Sequence, residues 1–280
     1  MVKIFTMVKD EVDIVREWII YHGEIFGYSN LYIIDNYSSD GTWELLQEYK
    51  NTIHIYRLPN YNLKGKYMTL LIQKFCKNEF AFPVDIDEFI VLYNKKDNSI
   101  NCDTENIMNY LYQLKRNISN KVYKMNYIQS KILKKNGCDN AIIETTNGNY
   151  DDRGSDAKTF VFSSFFKDEL DHGNHYHTNS YILSHICLVH YHCRNLQQMC
   201  KKIYNNVKGL GYPVNNINEL RNILIRNPQA AGNHHIQHRI SVLNKTYRLP
   251  VSEIGPNDIS LIPISEKISN IEKVFKEPSV

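Results

Sequence analysis

Asp85 and Asp87 stand two residues apart, just past the apolar run 80–84. On a strand, residues i and i+2 share one face, and a turn beyond the strand would still let both carboxylates reach one ion. Other acidic groups hold comparable places: Lys9-Asp10-Glu11 follows the apolar run 4–8, and Asp35 closes the run 31–34. In an open parallel sheet such strand ends converge on one edge, where ligands bind. Carboxylates gathered there repel one another unless a cation sits among them. Their hard oxygens suit Mg²⁺ or Mn²⁺, which in turn hold phosphate oxygens. The pattern points to metal-assisted chemistry on a phosphorylated ligand.

The histidines are unevenly spread. His172, His175, His177, His185, His190 and His192 crowd into twenty-one positions, near Cys187 and Cys193. Their spacings lack the paired Cys-X-X-Cys or His-X₃₋₅-His halves of a structural zinc site. His190 and His192 would point to the same face of a strand.

The strand ends need a frame that gathers them, and the first half of the chain supplies one. Apolar runs at 4–8, 31–34, 53–58 and 80–84 alternate with helical spacing at 12–26, 43–49 and 66–77. That alternation marks a parallel sheet covered on both faces. Asp10 is placed to cap the first helix, with Glu11 and Asp13 in its first turn and Gly27 as its stop. Asp40 organises the turn 38–42 and caps the next helix. Beyond residue 92 the pattern is less regular. Helices are expected over 104–115 and 195–207, and strands over 122–128, 159–166 and 185–191. A polar loop rich in Gly and Asn spans 136–157, and long loops in compact enzymes are often functional. The segment after Pro250 carries Pro256 and Pro263 and reads as a surface tail.

Composition narrows the class. The 280 residues hold 33 Lys and Arg against 30 Asp and Glu, a formal net charge of +3, with 42% hydrophobic and 22% charged residues. This is ordinary globular composition, so disorder is excluded as the main state. The near balance of sign excludes a strongly basic nucleic-acid binder. Lys134-Lys135 and Lys201-Lys202 are too short to read as more than solvated surface. No stretch approaches the roughly 18 apolar residues of a membrane helix, and the N-terminus lacks a secretory apolar core. The six cysteines (76, 102, 138, 187, 193, 200) are scattered, as free thiols are in a reducing compartment. A cytoplasmic protein with no membrane insertion is expected, in a host cytoplasm if the abundant Asn, Ile, Lys and Tyr reflect a large virus.

Taken in order, Met7-Val8-Lys9-Asp10-Glu11, Arg16-Glu17-Trp18 with Tyr21-His22, Ile34-Asp35-Asn36-Tyr37-Ser38-Ser39-Asp40-Gly41-Thr42 and Asp85-Ile86-Asp87-Glu88-Phe89 resemble the GT-A glycosyltransferases. The likeness is to the family 2-like and family 92 branch, formerly domain of unknown function 23. It is strong through residue 90 and weaker through Lys158-Thr159-Phe160-Val161 and His190-Tyr191-His192-Cys193-Arg194-Asn195. Asp10 departs from it, standing where the group usually has Asn.

The resemblance implies an α/β, Rossmann-like, mostly parallel sheet flanked by helices, with an irregular acceptor-side second half. It implies one catalytic domain over 1–280: a nucleotide-sugar half at 1–92, an acceptor half at 93–249 and the surface tail at 250–280. The implied activity is a metal-dependent, inverting hexosyl or N-acetylhexosaminyl transfer. The donor would be a nucleoside diphosphate sugar, UDP above all, and the acceptor a glycan or glycoprotein hydroxyl. On that reading Thr6, Val8, Glu11 and Asp35 hold uracil and ribose, and Lys66 approaches the nucleotide. Asp85 and Asp87 ligate Mn²⁺ or Mg²⁺ bridging the diphosphate, with His190 or His192 as a third ligand. Lys158 and Arg194 contact phosphate or acceptor, and Glu88 orients the loop.

Inversion needs a general base at the acceptor hydroxyl. Glu144, Asp151, Asp152, Asp168, Glu169 and Asp171 are candidates, and the long loop favours Asp151 or Asp152. Two other functions share the α/β start. One is a sugar-phosphate nucleotidyltransferase, although no Gly-rich phosphate loop follows the first strand. The other is a non-catalytic domain that binds a sugar nucleotide or glycan.

Overall fold

A computed structural model of the chain describes residues 1–118, 122–133, 145–230 and 232–276. The run VKIFTMV forms β1 (Val2–Val8) and is buried at every position except Lys3. A strand apolar on both faces belongs inside a sheet covered on both sides. β2 (Leu31–Asp35) and β4 (Phe80–Pro83) flank β1, both parallel to it, and β3 (His54–Arg57) pairs parallel with β2 at the edge. The crossovers are α1 (Val15–Phe26), α2 (Thr42–Glu48) and α3 (Lys64–Phe75).

The second half completes the same sheet with mixed directions. β5 (Glu88–Asn94) and β6 (Ser99–Asn101) form a hairpin, followed by α4 (Thr104–Arg116). Then come β7 (Val122–Ser130), β8 (Ile132–Leu133), β9 (Asn147–Asp151), β10 (Lys158–Phe162) and β11 (Tyr181–His190). The order across the sheet is β3-β2-β1-β4-β10-β7-β11-β5-β6. β10 runs antiparallel to both β4 and β7 and so splices the two halves, while β11 lies parallel to β7 and antiparallel to β5. The result is a mixed α/β fold with a large central sheet flanked by helices.

Both faces of the sheet are covered. Trp18 and Ile19 of α1, Ile107 and Leu111 of α4, and Phe89 and Ile90 of β5 belong to the larger core. Met68, Leu71 and Ile72 of α3 close the other face against Phe5, Met7 and Ile34. α5 (Leu196–Gly209), α6 (Ile217–Arg226) and α7 (Asn233–Leu243) pack together around Val207, Leu220, Ala230 and Ile236 as a separate small core. Among the described residues no helix is long and apolar enough to cross a membrane.

Three local expectations are corrected. Asp10 does not cap α1. Its φ is 55°, and its carboxylate accepts from the Ser39 N–H at 2.6 Å and from Asn205 at 3.0 Å, so α1 begins only at Val15. β9 lies where a loop was expected, because Asn-Gly-Asn-Tyr-Asp has no apolar alternation and gains its strand form by pairing with β7. Residues 136–144 of that loop, with Cys138 and Glu144, fall outside the described residues, as do Lys134-Lys135. The segment after Pro250 is not a bare tail. It forms β12 (Val251–Ser252), β13 (Ile259–Ser260) and α8 (Ile262–Lys276), with Ile264 and Ile268 fully buried in the larger core. Pro263 sits in the first turn of α8, where its missing N–H breaks no helix bond.

Candidate functional site

Because β1, β2 and β4 are parallel, the loops that follow them gather on one edge. With residues 60–63 and one face of α5 they enclose a cavity of about 880 Å³. Lys9, Asp10, Glu11, Asp85 and Asp87 line it from the sheet, and Lys201, Lys202, Tyr204, Asn205 and Lys208 line it from α5.

A tight turn divides the two aspartates. The Asp85 N–H donates to the Glu88 carboxylate at 2.7 Å, and the Glu88 N–H donates to the Asp85 carbonyl at 3.0 Å. Asp85 thereby faces a cluster of donors: Lys158 at 2.6 Å, Asn174 at 3.2 Å, and Lys64. Burial works to raise its carboxyl, but the Lys158 and Lys64 ammonium groups outweigh it and hold Asp85 well below the usual carboxylate range. Glu88 shares Lys158 at 3.0 Å, yet there burial prevails and pushes the carboxyl up.

Asp87 turns the other way. Its Oδ2 lies 3.5 Å from His190 Nε2 and accepts from the Lys202 ammonium. Lys202 Nζ is also 3.3 Å from His192 Nδ1. β11 delivers the histidines: His190 is its last residue, in register with Glu88 on β5, and the next N–H, of Tyr191, donates to the Asp87 carbonyl at 2.8 Å. One ligand atom each from Asp87, His190 and His192 lie within 4.8 Å of one another. His190 Nδ1 is buried without a hydrogen-bond partner among the described residues. The Lys202 ammonium first, and burial second, keep the His192 ring neutral. One carboxylate and two imidazoles suit a divalent transition ion. Such a set fits Mn²⁺ better than Mg²⁺, which prefers oxygen donors. The residues therefore fit an ion, with Asp87 rather than Asp85 at the centre of the donor set.

The other residues singled out in the sequence take varied places. Glu11 lines the cavity and is bonded by Arg194, whose Nε is 2.7 Å from Asp13. Burial pushes the Glu11 carboxyl up despite that arginine. Asp35 is fully buried, accepting from Arg57 Nε at 3.0 Å and the Ser38 N–H at 3.1 Å. Thr6, Val8 and Asp35 sit behind the cavity wall, and their neighbours Met7 and Asn36 form it. Lys66 is exposed; Lys64 is the α3 lysine that reaches the site.

Gln129 on β7 is the register partner of His190 and donates to Asp151 Oδ2 at 3.2 Å. Asp151 is also held by Arg153 at 2.8 Å, a bond that lowers its carboxyl. Asp152 instead accepts from Asn126 at 3.0 Å and the Gly154 N–H at 3.1 Å. Asp168 meets the Tyr176 hydroxyl, Asp171 accepts from the His175 N–H at 2.7 Å, and Glu169 is exposed.

Lys201-Lys202 is not solvated surface: Lys201 pairs with Asp40 at 2.9 Å, and the Lys202 side chain is only 17% exposed. Lys64, Asn174, Lys202 and Asn205 are the site residues that the sequence did not single out. The lysines of α5 at 201, 202 and 208, on an otherwise amphipathic helix, were the available signal.

No protein-family model matches the chain, and no curated protein matches it. Among solved structures the chain is similar to S. aureus TarS 1-349, at 11% identity over 88% of this chain and 71% of that one, with a TM-score of 0.41. The same protein in complex with UDP-GlcNAc gives 12% identity over 88% and 72%, with a TM-score of 0.44. Its complex with UDP gives 10% over 87% and 70%, with a TM-score of 0.43.

Proposed function

We propose that the chain is a metal-dependent glycosyltransferase. It moves a hexosyl or N-acetylhexosaminyl group from a nucleoside diphosphate, UDP above all, to a glycan or glycoprotein hydroxyl with inversion. The observation that carries this reading is the convergence of Asp87, His190 and His192 beside a cavity of about 880 Å³ lined by Lys9, Lys201, Lys202 and Lys208. That volume accommodates a nucleotide sugar, and clustered lysines suit a diphosphate. The motif resemblance supplies the donor and the group transferred.

Mn²⁺ would be held by Asp87, His190 and His192 and would neutralise charge on a departing nucleoside diphosphate, so that its leaving oxygen needs no proton. Asp85 pairs with Lys64 and Lys158, holding both ammonium groups beside the cavity. Glu11, with Thr6, Val8 and Asp35 fixing the loops around it, serves the nucleoside end. Asp151 takes the proton of the acceptor hydroxyl. It lies beyond His190 and Gln129 from the donor set, and Arg153 holds it ionised.

The test is a thermal-shift screen of nucleoside diphosphates and their sugars with and without Mn²⁺, followed by turnover with Asp87→Asn. A shift for one base that needs the metal, and turnover lost in the variant, support the proposal. Full turnover by Asp87→Asn in chelator would refute it. Pyrophosphate release from a nucleoside triphosphate would instead mark a nucleotidyltransferase, and tight nucleotide binding without sugar release a binding domain.

A further inference from the structure

We propose that Lys202 is a tethered cation that holds Asp87 and His192 in place in the metal-free protein and is displaced into the cavity when the divalent ion binds. This rests on the metal reading above and adds to it an exchange between two cations. Lys202 Nζ touches Asp87 Oδ2 and stands 3.3 Å from His192 Nδ1, two of the three donors that converge there. A divalent ion bonded to the same atoms at about 2.0–2.3 Å would fall against Nζ. The two cations would compete for the same lone pairs and repel each other at short range. Only one of them can occupy the position.

The place to which the ammonium moves follows from its helix. Lys201, Tyr204, Asn205 and Lys208 of α5 line the cavity alongside Lys202, so a side chain released from Asp87 remains within it. There its charge lies next to the position of a diphosphate. The ties from this end of the chain to the strand-end loops are polar: Arg194 to Glu11 and Asp13, Lys201 to Asp40, Lys202 to Asp87, and Asn205 to Asp10. Releasing Lys202 removes one of these and leaves the others. The ion thus recruits a phosphate-binding cation at the moment it creates a phosphate-binding site.

The experiment titrates Mn²⁺ alone, without nucleotide, into the full chain by calorimetry. It compares the wild type with Lys202→Met, Lys202→Gln and Asp87→Asn. Removing the competing charge should tighten Mn²⁺ binding about tenfold or more in both Lys202 variants, the scale of coupling between close charges. In parallel, an amine-acylating reagent read by peptide mass spectrometry should modify Lys202 of the wild type several-fold faster with Mn²⁺, while Lys158 stays unchanged. Equal or weaker binding by the Lys202 variants with unchanged labelling overturns the proposal. If Mn²⁺ still binds the wild type and fails to bind Asp87→Asn, the metal reading survives that result. Absence of Mn²⁺ binding in every protein defeats both. Should the variants misfold, the labelling of the wild type decides alone.

Discussion

The indole N–H of Trp18 donates to the backbone carbonyl of Glu88 at 3.1 Å. Beside it the Tyr21 hydroxyl donates to the Ile90 carbonyl at 2.7 Å, and the Ile90 N–H donates to His22 Nε2 at 3.3 Å. α1 is thus fastened to the start of β5, immediately after the loop that carries Asp85 and Asp87. The Trp-X-X-Tyr-His stretch acts on the site through this bracing, since all three side chains are buried away from the cavity. Trp18→Phe leaves the Glu88 carbonyl without its indole donor and a void beside the His22 ring. A loss of about 2–4 kcal/mol in urea unfolding is expected.

His22 makes stability depend on pH. Burial pushes its ring down to about 3, whereas in the unfolded chain an imidazole titrates near about 6.5. Below about pH 6.5 the unfolded state therefore binds a proton that the native state does not. As the pH drops below that value stability is lost, by up to about 1.4 kcal/mol per unit for this group. It is fully present only above that range. Urea midpoints across the acid range should show a slope smaller by about one proton in His22→Gln than in the wild type; equal slopes would assign the dependence to other groups.

Gly65 lies where a Cβ would come within 2.1 Å of the Leu170 carbonyl oxygen and 2.5 Å of that of Asp171. Both obstacles are backbone and cannot rotate aside. Gly65→Ala should push the 170–174 loop outward and break the 3.2 Å bond from Asn174 to Asp85. The expected cost is about 2–4 kcal/mol, read as a lower Tm.

Arg194 joins Glu11 and Asp13 with a side chain only 3% exposed. Arg194→Met strands a buried Glu11 and should cost about 3–5 kcal/mol. Arg194→Lys should fail to restore it, because a single ammonium lacks the planar fork that reaches both carboxylates. Urea unfolding of the two variants checks both statements.

Asp151 and Asp152 are separable by kinetics. Asp151→Asn should lower kcat about 10²–10⁴-fold while the KM for the donor and the affinity for Mn²⁺ stay near wild type. Asp152→Asn should leave kcat within about tenfold, because its carboxylate is engaged by Asn126 and the Gly154 N–H. A reversed order would move the base to Asp152.

The parallel half was legible because its evidence is local. Residues 4–8, 31–34 and 80–84 are apolar on both faces and bounded by turn formers, so their strand state and shared edge follow from the chain alone. The sequence by itself thus puts Asp85, Asp87 and Glu11 at the mouth of the sheet. β9 was hidden because its polar residues are strand only by virtue of β7.

Pairing, by contrast, belongs to the folded chain. Nothing near residue 202 distinguishes its lysine from a solvated one; it becomes a half-buried partner of Asp87, 115 residues away, because α5 crosses the carboxyl edge. The parting of Asp85 from Asp87 depends likewise on the turn closed by Glu88 and on which strand arrives at each side, β10 with Lys158 or β11 with His190. Charge in a sequence is a property of one residue, whereas its meaning at a site depends on distances of a few ångströms that only tertiary packing sets.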